Sequence, residues 1–177
     1  MTKELGGEPL TCEKIRNTFT LPYMKFWNTH FPDLTKGKQD KLYKKFIHEV
    51  EDARAYPTTE ETIKYLHNVG HKIFIVSSDT ESKLIPEAKN YEIYGYFTEI
   101  CCNSYSKEKE IIYLINKYNL DKKNTIYVGD TGGDIEAGRI ANIKTVGISW
   151  GFQSKAKLAE SNPDFLIDDI AEIKNIL

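Results

Sequence analysis

The chain has 177 residues, 24 Lys and Arg against 26 Asp and Glu, a net charge of −2 at pH 7 and 40% hydrophobic residues. That length suits one domain or a domain with a small appendage, and the composition is ordinary for a soluble globular protein. With no basic surplus, no apolar run near the about 20 residues of a membrane span and no apolar signal core in residues 1–10, neither nucleic acid nor a membrane is an expected partner, and a cytoplasmic location is expected.

The first part, residues 1–55, reads as helices. Glu13 to Phe19 is short, and the region from Pro22 to Phe31 is aromatic-rich. The stretch from Gly37 to Ala55 carries Leu42, Phe46 and Val50 at helical spacing. Tyr56-Pro57 breaks the pattern. Thr58 with Glu61 has the spacing of a capping box, opening a helix with Ile63, Leu66 and Val69 that Gly70 stops. From there strands and helices alternate: strand Lys72 to Val76, helix Thr80 to Tyr91 despite Pro86, and strand Phe97 to Cys101. An amphipathic helix from Glu108 to Tyr118 follows, with Ile111, Ile112, Leu114 and Ile115. Then come strand Thr125 to Val128, helix Ile135 to Ala141, strand Thr145 to Ile148, strand Phe165 to Ile167 and helix Ile170 to Ile176. This alternation over residues 56–177 predicts an α/β fold with a doubly wound parallel sheet.

The run from Ile126 to Ile135 is the most informative. An apolar strand ends in Gly129-Asp130, and a second carboxylate, Asp134, follows a Gly-Gly at the mouth of a helix. Open α/β sheets bind ligands at the carboxyl ends of their strands, where paired carboxylates suit a hard cation such as Mg²⁺. The alternative is that Asp130 or Thr131 caps the helix, which leaves the other carboxylate unexplained. Earlier, the strand ending at Val76 runs into Ser77-Ser78-Asp79-Thr80, where hydroxyls and amides at a helix mouth suit a phosphate. Capping by Asp79 or Thr80 competes with that reading. Lys107 and Lys109 stand before the apolar helix. Cys12, Cys101 and Cys102 lack metal-ligand spacing and read as structural thiols; His30, His48, His67 and His71 are dispersed and carry no assigned chemistry.

In order, strand–Ser, Lys before a helix and strand–Gly-Asp-x-x-x-Asp resemble the haloacid dehalogenase-like superfamily, in its phosphoglycolate phosphatase-like branch with a helical cap. Tyr56-Pro57, the run Leu66 to Gly70 and the run Val146 to Phe152 agree, so the resemblance spans about residues 11 to 177. It implies a Rossmann-like core over 56–177, a partial helical cap over 1–55 and hydrolysis of a small phosphorylated metabolite through an aspartyl-phosphate. It also assigns roles. Asp130 and Asp134 would hold Mg²⁺, Ser77 and Ser78 would bind phosphate oxygens, and Lys107 would offset negative charge, so Ser77, Lys107 and Asp130 form the catalytic set. The cap aromatics Phe19, Tyr23, Phe26 and Trp27 are read as packing residues in preference to site lining.

One motif of that family has no match. Its Asp-x-Asp, on a first strand that precedes the cap, supplies the nucleophile and the acid/base. Residues 1–10 contain no Asp and form a poor strand, Asp33 falls among cap helices, and Asp168-Asp169 lacks the spacing. The absent strand belongs in the middle of the sheet, between the strands of Ser77 and Asp130. Its loss would leave two inner edges with unpaired backbone groups. Either those strands close up, or the slot takes a swapped segment, a partner chain or residues outside this sequence; an open inner edge favours a homodimer or a strand-swapped partner. Were Met1 an internal methionine, the longer chain would be an ordinary phosphatase. The expected function is therefore a Mg²⁺-dependent phosphatase whose nucleophile is absent here and whose activity is impaired. The alternatives are a non-catalytic module binding phosphate, a metabolite or a protein, and a phosphomutase on the same scaffold. A phosphotransfer receiver would not explain the leading helices.

Overall fold

The computed structural model describes residues 1–46 and 53–177. Three helices come first: α1 (Cys12–Thr18), α2 (Tyr23–His30) and α3 (Lys36–Phe46). Leu42 and Phe46 of α3 are half-buried as their spacing predicts; His48, Val50 and the rest of residues 47–52 lie outside the described residues, and Ala53, Arg54 and Ala55, expected to end that helix, are not helical. Helix α4 (Thr59–Asn68) leads into β1 (Phe74–Val76), α5 (Glu81–Asn90), β2 (Glu99–Cys101), α6 (Lys107–Tyr118), β3 (Ile126–Gly129), α7 (Gly132–Ile140), β4 (Lys144–Ile148), α8 (Lys155–Ala159) and β5 (Phe165–Ile167). A 3-10 helix, Ile170–Asn175, closes the chain where an α-helix is predicted. It opens on a capping box of Asp169 and Glu172.

All strand pairs are parallel, as the alternation predicts, but the strands make two sheets. One is β1–β2, with Ile75 opposite Ile100; the other is β3–β4–β5, with Val128 opposite Val146 and Val146 opposite Phe165. Among the described residues no strand pairing joins β1 to β3. The helices hold the sheets side by side. Ile111 and Ile115 of α6 cluster with Ala137, Ala141 and Ile143, and Val76 of β1 and Tyr127 of β3 both pack against that cluster. Helix α6 works because its apolar residues fall at helical spacing: Ile111, Leu114 and Ile115 are buried, while Ile112, between them in sequence, is exposed.

Several local expectations yield to tertiary partners. The Thr58–Glu61 capping box does not form: Thr58 sits at φ 62° and its side chain makes no cap bond. Its hydroxyl donates instead to the Asp169 carboxylate at 2.6 Å, and Glu61 accepts from Lys174 at 3.1 Å. Val69, at the end of α4, is exposed while Leu66 is buried. Helix α7 starts at Gly132, three residues before the predicted Ile135, so both glycines of the Gly-Gly are helical. Helix α5 runs through Pro86. Helix α8 is unpredicted because five residues are too few to show a period; Ser154 caps it, and Leu158 buries itself completely. The three cysteines are free, and burial pushes the Cys101 and Cys102 thiols up, consistent with inert packing groups.

Helix α7 lies unusually close to the sheet. A Cβ on Gly138 would sit 2.6 Å from Thr145 Cγ2 and 3.2 Å from Tyr127 Cβ, both on strands. Helix propensity alone favours Gly138→Ala by about 1 kcal/mol, but overpacking against strand side chains costs about 1–3 kcal/mol. Gly138→Ala is therefore expected to lower the urea midpoint with an unchanged slope; an equal or higher midpoint would show that α7 has room to withdraw.

Candidate active site

Each predicted site residue sits at the carboxyl end of a strand or in the first turn of the helix that follows. Ser77 follows β1. Its hydroxyl accepts the Asp79 N–H at 3.1 Å, and its carbonyl accepts the Ser104 N–H at 2.8 Å, which anchors the loop after β2. Neither Asp79 nor Thr80 caps α5 through its side chain. The Ser77 hydroxyl proton thus stays available to an acceptor, and Ser78 beside it is exposed.

Lys107 is the first residue of α6 rather than a residue before it. Its ammonium donates to Asp134 Oδ1 at 2.6 Å, with Lys107 27% and Asp134 2% exposed. Asp134 Oδ2 accepts from the Thr131 N–H at 3.1 Å and from the Thr131 hydroxyl at 2.7 Å. Thr131, not Asp130, is the helix cap, and it forms a capping box with Asp134. The capping reading therefore accounts for Asp134, and Asp130 is the carboxylate left over.

Asp130 is held by the loop that follows β4. Its Oδ2 accepts the Phe152 N–H at 2.8 Å, and its backbone carbonyl accepts the Gln153 N–H at 3.2 Å. A side chain on Gly151 would collide with Asp130, so this close approach requires glycine. Burial pushes the Asp130 carboxyl above its ordinary value, and the nearby Asp134 adds to this; the Phe152 N–H and Lys107 oppose it. Burial also pushes the Tyr127 phenol up, with the Asp134 and Asp130 carboxylates beside it. Asp130 is thus a half-buried acid with too few donors to balance its charge. A hard cation fits that deficit. No cluster of three or more His, Cys, Asp or Glu suited to a metal occurs among the described residues.

Gln153 is the site residue that sequence reasoning misses. It is 4% exposed; its Oε1 accepts the Gly132 N–H at 2.8 Å, and its Nε2 donates to the Phe19 carbonyl at 2.8 Å. The side chain thus satisfies one free amide at the start of α7 and ties it to the residue after α1. No local pattern announces this, because its partners are 21 and 134 residues away. Phe152, whose ring is exposed, lies 5.1 Å from Phe19, which in turn lies 5.4 Å from Phe26. Those aromatics form a continuous packed row, as the packing reading of Phe19 and Phe26 expects.

The sequence pattern of the haloacid dehalogenase-like hydrolase family matches residues 1–148. The chain belongs to that family. It is 28% identical over 130 residues to a phosphoglycolate phosphatase from Haemophilus influenzae, covering 71% of this chain and 58% of that one. It is 27% identical over 144 residues to another from Vibrio vulnificus, covering 78% and 62%. The chain thus matches about three fifths of the length of these curated relatives. Among solved structures, a haloacid dehalogenase-like family hydrolase from Streptococcus pneumoniae superposes with a TM-score of 0.80 at 24% identity, covering 98% of this chain and 85% of that one. At that identity the likeness speaks for the fold.

Two substitutions probe this cluster. Lys107→Met removes the charged partner of Asp134 Oδ1 and is expected to destabilise the chain by about 2–3 kcal/mol, as for loss of a hydrogen bond to a charged group; a change below about 0.5 kcal/mol in chemical denaturation would mean that water replaces the ammonium at no cost. Asp130→Asn works through protonation. Because the folded carboxyl titrates above its unfolded value of 3.8, the folded state binds the extra proton. Stability tied to Asp130 is then present below the unfolded value and is lost as pH rises through the folded one. In EDTA, Asp130→Asn should melt higher than the parent chain at pH 7, and the difference should close toward pH 4. A difference independent of pH would refute the burial argument.

Proposed function

We propose that this chain carries the phosphate- and metal-handling side of a phosphomonoester hydrolase site. The observation that carries the reading is the undercompensated Asp130 carboxylate, fixed by the Gly151–Gln153 loop beside the Lys107–Asp134 pair. Family membership and phosphoglycolate phosphatase relatives support it. Small phosphorylated metabolites, with phosphorylated carboxylic acids first, are the substrate class to test.

The chain's own residues divide the work. The Ser77 hydroxyl and Ser78 amide bind phosphate oxygens at the end of β1. Lys107 lowers the cost of bringing an anion to a cluster that already holds two carboxylates. Asp130 would hold Mg²⁺, with Asp134 supporting it directly or through water. Bound there, the ion would neutralise charge between phosphate and carboxylate. No Asp-x-Asp pair stands at the end of β1 or β3, and Asp130 is assigned to the metal, so this reading gives these residues binding and not nucleophilic attack. The unpaired inner edges of the two sheets favour the same outcome, as would a non-catalytic phosphate-binding module.

The test pairs an assay with a binding readout. Mg²⁺-dependent hydrolysis of para-nitrophenyl phosphate should be no faster for this chain than for Asp130→Asn. Mg²⁺ with orthophosphate should raise the thermal midpoint of the parent chain, but not that of Asp130→Asn, and should raise that of Ser77→Ala less. Turnover that Asp130→Asn abolishes would mean that the chain supplies its own nucleophile. A parent midpoint indifferent to both ions would remove the site reading altogether.

A further inference from the structure

The loop after β4 serves two neighbours at once. Toward the site, the Phe152 N–H donates to Asp130 Oδ2 at 2.8 Å, the Gln153 N–H donates to the Asp130 carbonyl at 3.2 Å, and Gly151 makes room for the carboxylate by lacking a Cβ. Toward the leading helices, Gln153 Nε2 donates to the Phe19 carbonyl, and the Phe152 ring packs 5.1 Å from that of Phe19. The position of this loop therefore sets how closely Asp130 is enclosed.

The α/β body fixes one group at each end of the loop. At residue 149 the N–H donates to the Ile167 carbonyl of β5 at 3.0 Å, and at residue 154 the side chain caps α8. The Ser149 carbonyl and the Ser154 N–H are left over, and backbone groups inside a folded chain need partners. Both find them in one residue of α1. The Arg16 guanidinium donates through Nη2 to the Ser149 carbonyl, and the Arg16 carbonyl accepts the Ser154 N–H at 2.9 Å. Arg16 thus spans residues 149–154 from end to end, with the three residues that enclose Asp130 in between. Its Nε is buried and has no acceptor among the described residues. An orphaned N–H costs stability, so the bond to Ser149 calls for one donor at that reach and not for a whole guanidinium.

We infer that Arg16 is a positioning residue for Asp130: it closes the 149–154 loop against α1, holds Gly151–Gln153 against the carboxylate, and so ties cation binding at Asp130 to the seating of the leading helix. The cation half of this inference rests on the function proposed above; the loop half does not. Arg16 acts through the backbone of the loop and not through a bond of its own to the carboxylate. Coupling of this kind is reciprocal. A loop that binds the cation better when α1 is seated also seats α1 better when the cation is bound.

The test compares the parent chain with Arg16→Met, which keeps the length of the side chain and removes the donor, and with Arg16→Lys, which keeps a donor. In EDTA, amide hydrogen exchange at Phe152 and Gln153 should be about tenfold or more faster in Arg16→Met, as for loss of a hydrogen bond from a charged donor, and within about threefold of the parent in Arg16→Lys. Exchange at Val146, in the central strand of the three-stranded sheet, should stay unchanged, which separates a loosened loop from a destabilised fold. Mg²⁺ alone is then titrated while the Phe152 and Gln153 amide resonances are followed. It should bind Arg16→Met about tenfold more weakly than the parent, the low end for lost outer-shell support, and Arg16→Lys nearly as well as the parent. At saturation it should slow exchange of the Phe19 N–H, which closes α1 on the Ile15 carbonyl. Loop exchange indifferent to Arg16→Met, an acceleration shared equally by Val146, equal Mg²⁺ affinities, or an Arg16→Lys chain as loose as Arg16→Met would overturn the inference. A faster loop in Arg16→Met beside a parent chain whose resonances ignore Mg²⁺ would instead refute the cation reading of Asp130, and with it the purpose given to Arg16.

Discussion

The bond from Lys107 to Asp134, at 2.6 Å, is the polar contact around which the strand ends are arranged. It connects the first residue of the helix after β2 with the first turn of the helix after β3, and so bridges two sheets that share no backbone pairing. A carboxylate as buried as Asp134 persists only when its oxygens are well supplied with donors. Its donors include the Lys107 ammonium, the Thr131 amide and the Thr131 hydroxyl. The same crowding dictates the sequence next to it. A Cβ on Gly129 would lie 2.6 Å from the Asp134 carboxyl carbon, so the residue ending β3 must be glycine for the carboxylate to occupy its place.

Asp130 stands only four residues earlier and meets the opposite circumstances. It has one backbone N–H on its carboxylate and considerable burial, and burial dominates its titration. One carboxylate in this turn organises the fold, and the other retains unmet demand for positive charge. Sites in which neighbouring acids are given contrasting surroundings are where charge-dependent chemistry is found. The loop from Gly151 to Gln153 is what enforces that contrast, because it presses close to Asp130 without supplying a cation.

The α/β class, the strand order in sequence and the placement of Ser77, Lys107, Asp130 and Asp134 at strand ends were legible because each rests on local, repeated signals. Those are apolar runs bounded by turns, and one helix, α6, whose buried Ile111, Leu114 and Ile115 follow its period. The features that escaped depend on distant partners. Thr58 looks like a helix cap until Asp169 competes for its hydroxyl. Ile112 looks like core by composition, yet it falls on the wrong face of α6. Gln153 looks like any polar loop residue, and only the folded chain brings Phe19 and Gly132 to its two ends. Whether β1 and β3 would close on one another was likewise a question of packing: both rest on one helix pair without pairing with each other.

The link through Gln153 also has a mechanical meaning. Helix α1 is anchored to the α/β body at both of its backbone-linked contacts, with Arg16 donating to the Ser149 carbonyl and its own carbonyl accepting the Ser154 N–H. Gln153 then secures Phe19. The leading segment up to that residue is consequently a fixed mount. Beyond Phe19 the next contact depends on a missing side chain: Leu21 rests on the bare Cα of Gly133, so any larger residue at 133 would push the chain leading into α2 off the first turn of α7.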